Sequence, residues 1–294
     1  MKPLGDQVLV ITGASSGIGL ATAEHAAEAG AIVVLVARSE HTLEDIARRI
    51  DPSGKRSLVV VCDVAERAQV ERAAKRAAER FGRIDTWVNN AGLGMYGRLD
   101  ECDYEDARRL FDINFWGVVH GSLAALPYLK KSAGTLINVG SEVSEAATPL
   151  LGMYTATKHA VKGFTDSLRI ELELLENDDV TVTLIQPTAV NTPFPQHARN
   201  FMDCEPSLPS PTLDPKQVAA AILNAAERPT RDKKVGGKAM LNTAMAKFLP
   251  GLGDRLAAKQ ASSLRSDAPP RHPAGSLHEA SEAAAAAGST TGLQ

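Results

Sequence analysis

Two residues near the middle of the chain have the types and spacing to move a proton. Tyr154 and Lys158 stand four apart in MYTATKHAVKGF, a stretch of helical pattern, so both side chains project from one face, about 6 Å apart along the axis. A phenol with its ordinary pKa of about 10 is a poor acid or base at neutral pH. An ammonium one turn away favours the phenolate and is expected to draw that value down, toward the range where proton exchange is efficient. Ser141 lies thirteen residues before Tyr154 at the end of a strand-like run, where its hydroxyl could hold a carbonyl oxygen. Asn114, in the helical stretch before that run, has an amide that could anchor a water between Lys158 and solvent. Each has a plain structural reading by itself: a core-edge aromatic, a solvated charge, a cap. As a set they read as proton-transfer machinery.

Such a set needs a rigid frame, and the chain supplies one by repetition. The short apolar runs at 7–11, 32–37, 58–62, 86–88, 135–139 and 180–185 are apolar on consecutive residues, as parallel strands covered on both faces require. Between them lie helical patterns at 43–50, 70–81, 103–129 (one or two helices) and 153–176. This alternation predicts an α/β, Rossmann-like, doubly wound parallel sheet of about seven strands, with ligands at the carboxyl ends of the strands. Seven prolines between Pro187 and Pro215 predict a loop over 187–215 with a short helix near 197–202. Asp214-Pro215 then opens a helix through 226, and a last strand is expected around Val235.

The chain of 294 residues carries 32 basic and 35 acidic side chains, a net charge of -3, which disfavours nucleic acid as a partner. Cys62, Cys102 and Cys204 form no CxxC and point to neither disulfides nor a metal. With no apolar run of about 18 residues and no export signal, no transmembrane segment is expected and a cytoplasmic location is.

The turn TGASSGIG follows the first strand and opens a helix. Gly13 suits the tight turn, Gly17 the approach of a diphosphate, and Gly19 the packing of helix on strand, with the helix amides facing the anion. The spacing is GxxxGxG, and no GK[ST] follows. The second strand ends in Ala37-Arg38, with no carboxylate for a ribose hydroxyl and an arginine suited to a 2′-phosphate. NADP(H) is therefore favoured over NAD(H), with Ser15 and Ser39 as further donors. Asp63, beyond the third strand, either accepts from the adenine amine or caps the next helix.

Taken together, TGASSGIG, Asp63, NNAG at 89–92, Asn114, Ser141 and the YTATK run resemble the short-chain dehydrogenase/reductase family over 7–190. The resemblance implies a cofactor lying across the strand ends, bound by Gly13, Ser15, Ser16, Gly17, Ile18, Gly19, Arg38, Ser39, Asp63, Val64, Asn90, Ala91, Gly92, Tyr154, Lys158, Pro187, Val190 and Thr192. It implies that Asn89 and Asn90 stabilise the central strand. It further implies hydride transfer with Tyr154 as general acid/base, Ser141 orienting the substrate oxygen, Lys158 depressing the tyrosine pKa and holding the nicotinamide ribose, and Asn114 completing a proton relay. Relatives usually carry proline-glycine after the sixth strand. Pro187-Thr188 stands here instead and puts a branched side chain beside the nicotinamide.

An apolar wall of Leu93, Met95, Tyr96, Ala147, Leu150, Phe194 and Phe201 predicts a lipophilic ketone, aldehyde or secondary alcohol. Glu142 either leans away from it or selects a hydroxylated or basic substrate. Likeness to relatives implies a homodimer or homotetramer through the helices over 106–129 and 153–176. The oxidoreductase domain is expected over 1–237, a helical extension over 238–265 and a disordered tail over 266–294, with transient helix at the alanine run 283–287. The extension is read as packing over the substrate loop or another subunit; Lys247, Arg255 and Lys259 leave contact with a membrane surface or partner as the competing reading. A scaffold acting through that extension is the alternative function, and an epimerase or dehydratase a third.

Overall fold

The computed structural model describes residues 1–176 and 178–280. Seven strands form one parallel sheet: β1 (Val8–Thr12), β2 (Ile32–Ala37), β3 (Ser57–Val61), β4 (Thr86–Asn89), β6 (Thr135–Val139), β7 (Thr181–Pro187) and β9 (Asp232–Val235). Two short strands, β5 (Met95–Tyr96) and β8 (Arg199–Asn200), pair separately beside it. The main sheet runs in the order β3-β2-β1-β4-β6-β7-β9. The winding reverses between β1 and β4, so the crevice beyond their carboxyl ends is where such a fold binds ligands.

The inner strands β1 and β2 are apolar on consecutive residues because both faces are covered, whereas the edge strand β9 is Asp-Lys-Lys-Val. Val8 and Val10 of β1 face one apolar layer with Val34 and Val36 of β2, while Leu9 and Ile11 face the other with Val33 and Leu35. Helices α1 (Gly17–Glu28), α2 (Glu40–Ile50) and α8 (Pro215–Glu227) cover the second layer. The first is covered by α3 (Arg67–Phe81), α4 (Tyr104–Phe111), α5 (Gly117–Ser132) and α6 (Gly152–Ile170). As expected, Asp214 caps α8, accepting from the Lys216 amide at 2.8 Å with proline at the first helical position. The one or two helices expected over 103–129 are α4 and α5 joined by a π turn at Asp112–Trp116. A second π turn, Glu171–Leu175, ends α6 where a continuous helix was expected.

The substrate loop departs from expectation. Its short helix α7 is Phe194–His197, and 199–200 form β8 instead of continuing a helix to 202, because their backbone pairs with β5. The extension comprises α9 (Gly237–Phe248) and α10 (Pro250–Gln260), followed by a tight turn at Ala261–Leu264. No described helix is long and apolar enough to cross a membrane. Residues 266–280, expected to be disordered, lie along the substrate loop: the Glu205 amide donates to the Ala268 carbonyl at 2.7 Å and the Asn200 amide to Pro273 at 2.8 Å. Backbone bonds and one buried apolar side chain, Leu277, hold them where composition offers little apolar surface. The alanine run at 283–287 lies outside the described residues.

A polar network sits inside the first layer. Asn89 donates to Asn138 Oδ1 at 2.8 Å and Ser122 Oγ at 3.1 Å, and accepts from the Trp87 indole at 2.8 Å. All its polar atoms are thus satisfied in a site closed to water, which makes the arrangement stable and intolerant of displacement. Gly121 gives it room, since a Cβ there would fall 2.0 Å from Asn89 Oδ1. Gly121→Ala should therefore cost about 1–3 kcal/mol of stability, measured by urea denaturation; an unchanged midpoint would mean that the network yields freely.

Candidate active site

The geometry of the site starts at the end of β6. The Lys158 ammonium, on α6, donates to the carbonyl of Val139 at 2.9 Å and is buried. Two residues past Val139, Ser141 is fixed by a reciprocal cap: its amide donates to Ser144 Oγ at 3.2 Å and its own Oγ accepts from the Val143 amide at 3.3 Å. One turn before Lys158, the Tyr154 ring lies 5.7 Å from the ammonium and packs edge-on against Phe194, 5.2 Å between centroids. Ser141, Tyr154 and Lys158 line a single cleft.

Electrostatics modify the expectation for the phenol. Burial pushes Tyr154 up to about 12, opposed by a hydrogen bond with Ser141 and reinforced by the charge of Glu142. Burial also pushes Lys158 down to about 8. The phenol is thus raised rather than lowered, because desolvation of the charged form outweighs the neighbours. Asn114 is held by hydrogen bonds within the protein. The π turn presents its amide to Leu93, accepting from the backbone N–H at 2.8 Å and donating to the C=O at 2.9 Å, and a further bond goes to Thr157 Oγ1 at 3.1 Å. Both amide hydrogens are committed to protein, so the side chain clamps the NNAG loop; π turns of this kind recur at functional sites.

The cleft extends from Tyr154 to the glycine turn, so a single opening joins the two groups of residues. Ser15, Ser16, Gly17, Ile18, Arg38, Ser39, Asp63, Val64, Asn90, Ala91 and Gly92 line it with Gly13. Gly19 does not; it lies beneath, where a Cβ would fall 2.2 Å from the Gly13 carbonyl. Gly13 has φ +67°, and a Cβ there would fall 2.8 Å from Ala91 Cα, so only glycine fits this crossing of two loops. Asn90 secures the crossing by donating to the Thr12 carbonyl at 2.9 Å. Ser16 opens α1 without a side-chain cap, and the first turn holds no acidic residue, leaving helix amides for an anion. These residues fit the phosphates of a dinucleotide.

At the far end, Asp63 accepts from the Ala65 amide at 3.0 Å and forms an ion pair with Arg109. Its carboxylate therefore serves the turn after β3 and α4. Arg109, unmarked by any motif, is a residue that the sequence reading missed. Arg38 donates to the carbonyls of Ser276 and Leu277. Its pKa is lowered, first by burial.

On the other side, Pro187, Val190 and Thr192 line the cleft, and Thr192 packs against Gly17, where a Cβ would be 3.1 Å away. Thr188 donates to Glu142 Oε1 at 2.8 Å, while Asn242 of α9 donates to Oε2 at 2.9 Å. Glu142 is thus tied to the departure from proline-glycine and to the extension. The methyl of Thr188 is accommodated by Gly236, whose added Cβ would meet it at 2.7 Å.

Of the expected apolar wall, Leu93, Tyr96 and Phe194 line the cleft together with Glu142. Met95 instead points into the core, and Phe201 packs under the Arg199 guanidinium, 4.2 Å from the ring centroid. Ala147 and Leu150 also lie off the cleft; their neighbours Thr148 and Leu151 take their places. Leu208, Pro209 and Leu264 complete the wall. They come from loop and extension, whose path no periodicity reveals.

The family model for short chain dehydrogenase matches residues 7–203. An uncharacterized oxidoreductase, YxnA of Bacillus subtilis, is 43% identical over 262 residues, covering 88% of this chain and 73% of that protein. Among solved structures, an alcohol dehydrogenase from Thermococcus sibiricus complexed with 5-hydroxy-NADP is 31% identical with a TM-score of 0.68, covering 78% of this chain and 94% of the other. A short chain dehydrogenase/reductase from Burkholderia phymatum in complex with NAD is 26% identical with a TM-score of 0.76, covering 86% and 96%.

The buried ammonium gives a pH signature. Because the folded value of Lys158, about 8, lies below the ordinary 10.5, the unfolded chain binds more protons between them and stability rises with pH across that window. The thermal midpoint of wild type minus that of Lys158→Met should climb over this interval. A flat difference would show that the ammonium is not desolvated.

Proposed function

The chain belongs to the short-chain dehydrogenase family, whose members are NAD(P)(H)-dependent oxidoreductases, and on that premise we propose that it interconverts lipophilic ketones or aldehydes and alcohols with NADP(H). The observation that carries this reading is the sharing of one cleft by Ser141, Tyr154 and Lys158 with the glycine turn and Arg38. When bound, the nicotinamide supplies or accepts the hydride. Tyr154, its phenol raised further above neutral pH by burial, gives its proton to the developing alkoxide in reduction and takes it back in oxidation. Ser141 holds the reacting oxygen, and its hydrogen bond eases loss of the phenolic proton. Lys158 stabilises the phenolate that remains. Asn114 keeps the loop at Leu93 in register with α6 through Thr157.

Preference for NADP(H) rests on Arg38 at the cleft and on Ala37, which offers no carboxylate to a ribose hydroxyl. A lipophilic substrate is supported by the wall of Leu93, Leu151, Phe194, Leu208 and Leu264, with both carboxylate oxygens of Glu142 engaged by protein donors. Exposed Tyr104, Trp116, Leu123 and Ile170 on α4 to α6 and the turn between them support a homo-oligomer. Three free cysteines suit a reducing compartment such as the cytoplasm. A scaffold acting through the extension has in its favour the exposed Met240, Leu241 and Phe248 of α9; cofactor binding without turnover would favour it.

A carbonyl panel assayed with NADPH and NADH tests the proposal. Tyr154→Phe should lower kcat by about 10²–10⁴-fold while NADPH still binds; an unchanged rate would remove Tyr154 from the chemistry. Arg38→Gln should weaken NADPH by about tenfold or more, the worth of a charge-assisted hydrogen bond, and leave NADH nearly unaffected. Equal losses for both would refute the phosphate role.

A further inference from the structure

The C-terminal segment 272–280 reaches the part of the cleft where Arg38, Asp63 and Val64 lie, and it is fastened there at several points. Pro273 accepts at its carbonyl from the Asn200 amide at 2.8 Å and from the Arg199 guanidinium at 2.7 Å. The Ser276 amide donates to the His197 carbonyl at 2.8 Å, and the His278 ring meets Asp106 Oδ1 at 2.8 Å. Gly275 has φ +57°, and a Cβ there would fall 2.3 Å from the Ala198 carbonyl, so backbone lies directly on backbone. Leu277 is the only large apolar residue between 266 and 280. Its side chain is 0% exposed within the apolar layer shared by Val64, Leu110 and Ile113.

The carbonyls of this segment have a specific use. Ser276 and Leu277 accept from the two terminal nitrogens of Arg38, and Leu277 accepts also from Arg109 Nε at 3.4 Å. A guanidinium has five donors in a rigid fork, so two bonds on one side fix its plane and leave donors for a second acceptor. Ser276 and Ala280 line the cleft together with Cys62, Asp63, Val64 and Ile113, whereas Leu277 does not. The one large apolar side chain of the segment is therefore turned into the core, while Ser276 and Ala280 share the cleft with Asp63.

We propose that residues 272–280 form the outer wall of the adenine-ribose end of the cofactor site, orienting Arg38 for the 2′-phosphate and retaining the cofactor once bound. The inference rests on the dinucleotide reading above. Holding Arg38 in advance removes part of the ordering cost of binding, and an enclosing wall acts chiefly on the rate of release. The first effect weighs on NADPH, whose 2′-phosphate Arg38 would meet, and the second on both dinucleotides.

The test uses the full chain with Gly275→Val, which forces the segment off Ala198, and Leu277→Ser, which loosens its anchor without placing a charge in the core. Binding of NADPH and of NADH is followed by fluorescence titration, and release by stopped-flow displacement, with circular dichroism to confirm folding. Both variants should bind NADPH about tenfold more weakly, equivalent to about 1.4 kcal/mol, release it faster, and lose less affinity for NADH. Unchanged constants, or tighter binding as expected of a segment that blocks the site, overturn the wall. If wild type itself binds neither dinucleotide, the functional reading fails before the variants are compared.

Discussion

The bond from the Lys158 ammonium to the Val139 carbonyl ties helix α6 to the carboxyl end of strand β6. The ammonium is buried, where an unpaired one would be costly and a paired one is held firmly. Tyr154 lies one turn earlier on the helix and Ser141 two residues beyond the strand, so both positions follow from that tie. Because β6 pairs with β4 and β4 with β1, the same register carries the NNAG loop and the glycine turn to the same edge. Ser141, Tyr154 and Lys158 and the glycine turn thus lie at two ends of one rigid construction.

Burial that makes this arrangement precise also alters its chemistry. A phenol at about 12 and an ammonium at about 8 describe a pair that keeps the proton on the tyrosine. In the proposed reaction the phenol is the acid, and the positive charge close by would matter most at the moment the proton departs. Stabilisation that grows as charge develops is the kind that raises rate. Asn114 is fixed in the same way, its amide bonded to Leu93 and Thr157.

The legibility of the chain follows the range of the interactions. Strands covered on both faces advertise themselves as continuous apolar runs, and Asp214-Pro215 marks a helix start through local backbone chemistry, so sheet and core helices could be read directly. Tyr154 and Lys158 could be paired because helical spacing is local. What could not be read depends on contacts between distant segments. The pairing of 199–200 with 95–96 turned an expected helix into a strand. Met95 and Phe201 left the substrate wall for the core and for Arg199. Arg109 finds Asp63 across 46 positions. A lone leucine in a proline- and alanine-rich stretch gives no periodic signal, yet Leu277 secures the segment that reaches Arg38.

The exchange of proline-glycine for Pro187-Thr188 illustrates how a local departure is absorbed. The added hydroxyl finds Glu142, the added methyl finds space above Gly236, and Asn242 joins the extension to the same carboxylate. The active site is thereby coupled to α9. The most direct measurement of the central claim is isotope tracing: the protein is incubated with a lipophilic ketone and NADPH carrying deuterium at both C4 positions, and the alcohol is analysed by mass spectrometry and NMR. The account predicts deuterium on the carbinol carbon in wild type and little product with Tyr154→Phe; an alcohol without deuterium, or undiminished product from the variant, would contradict it.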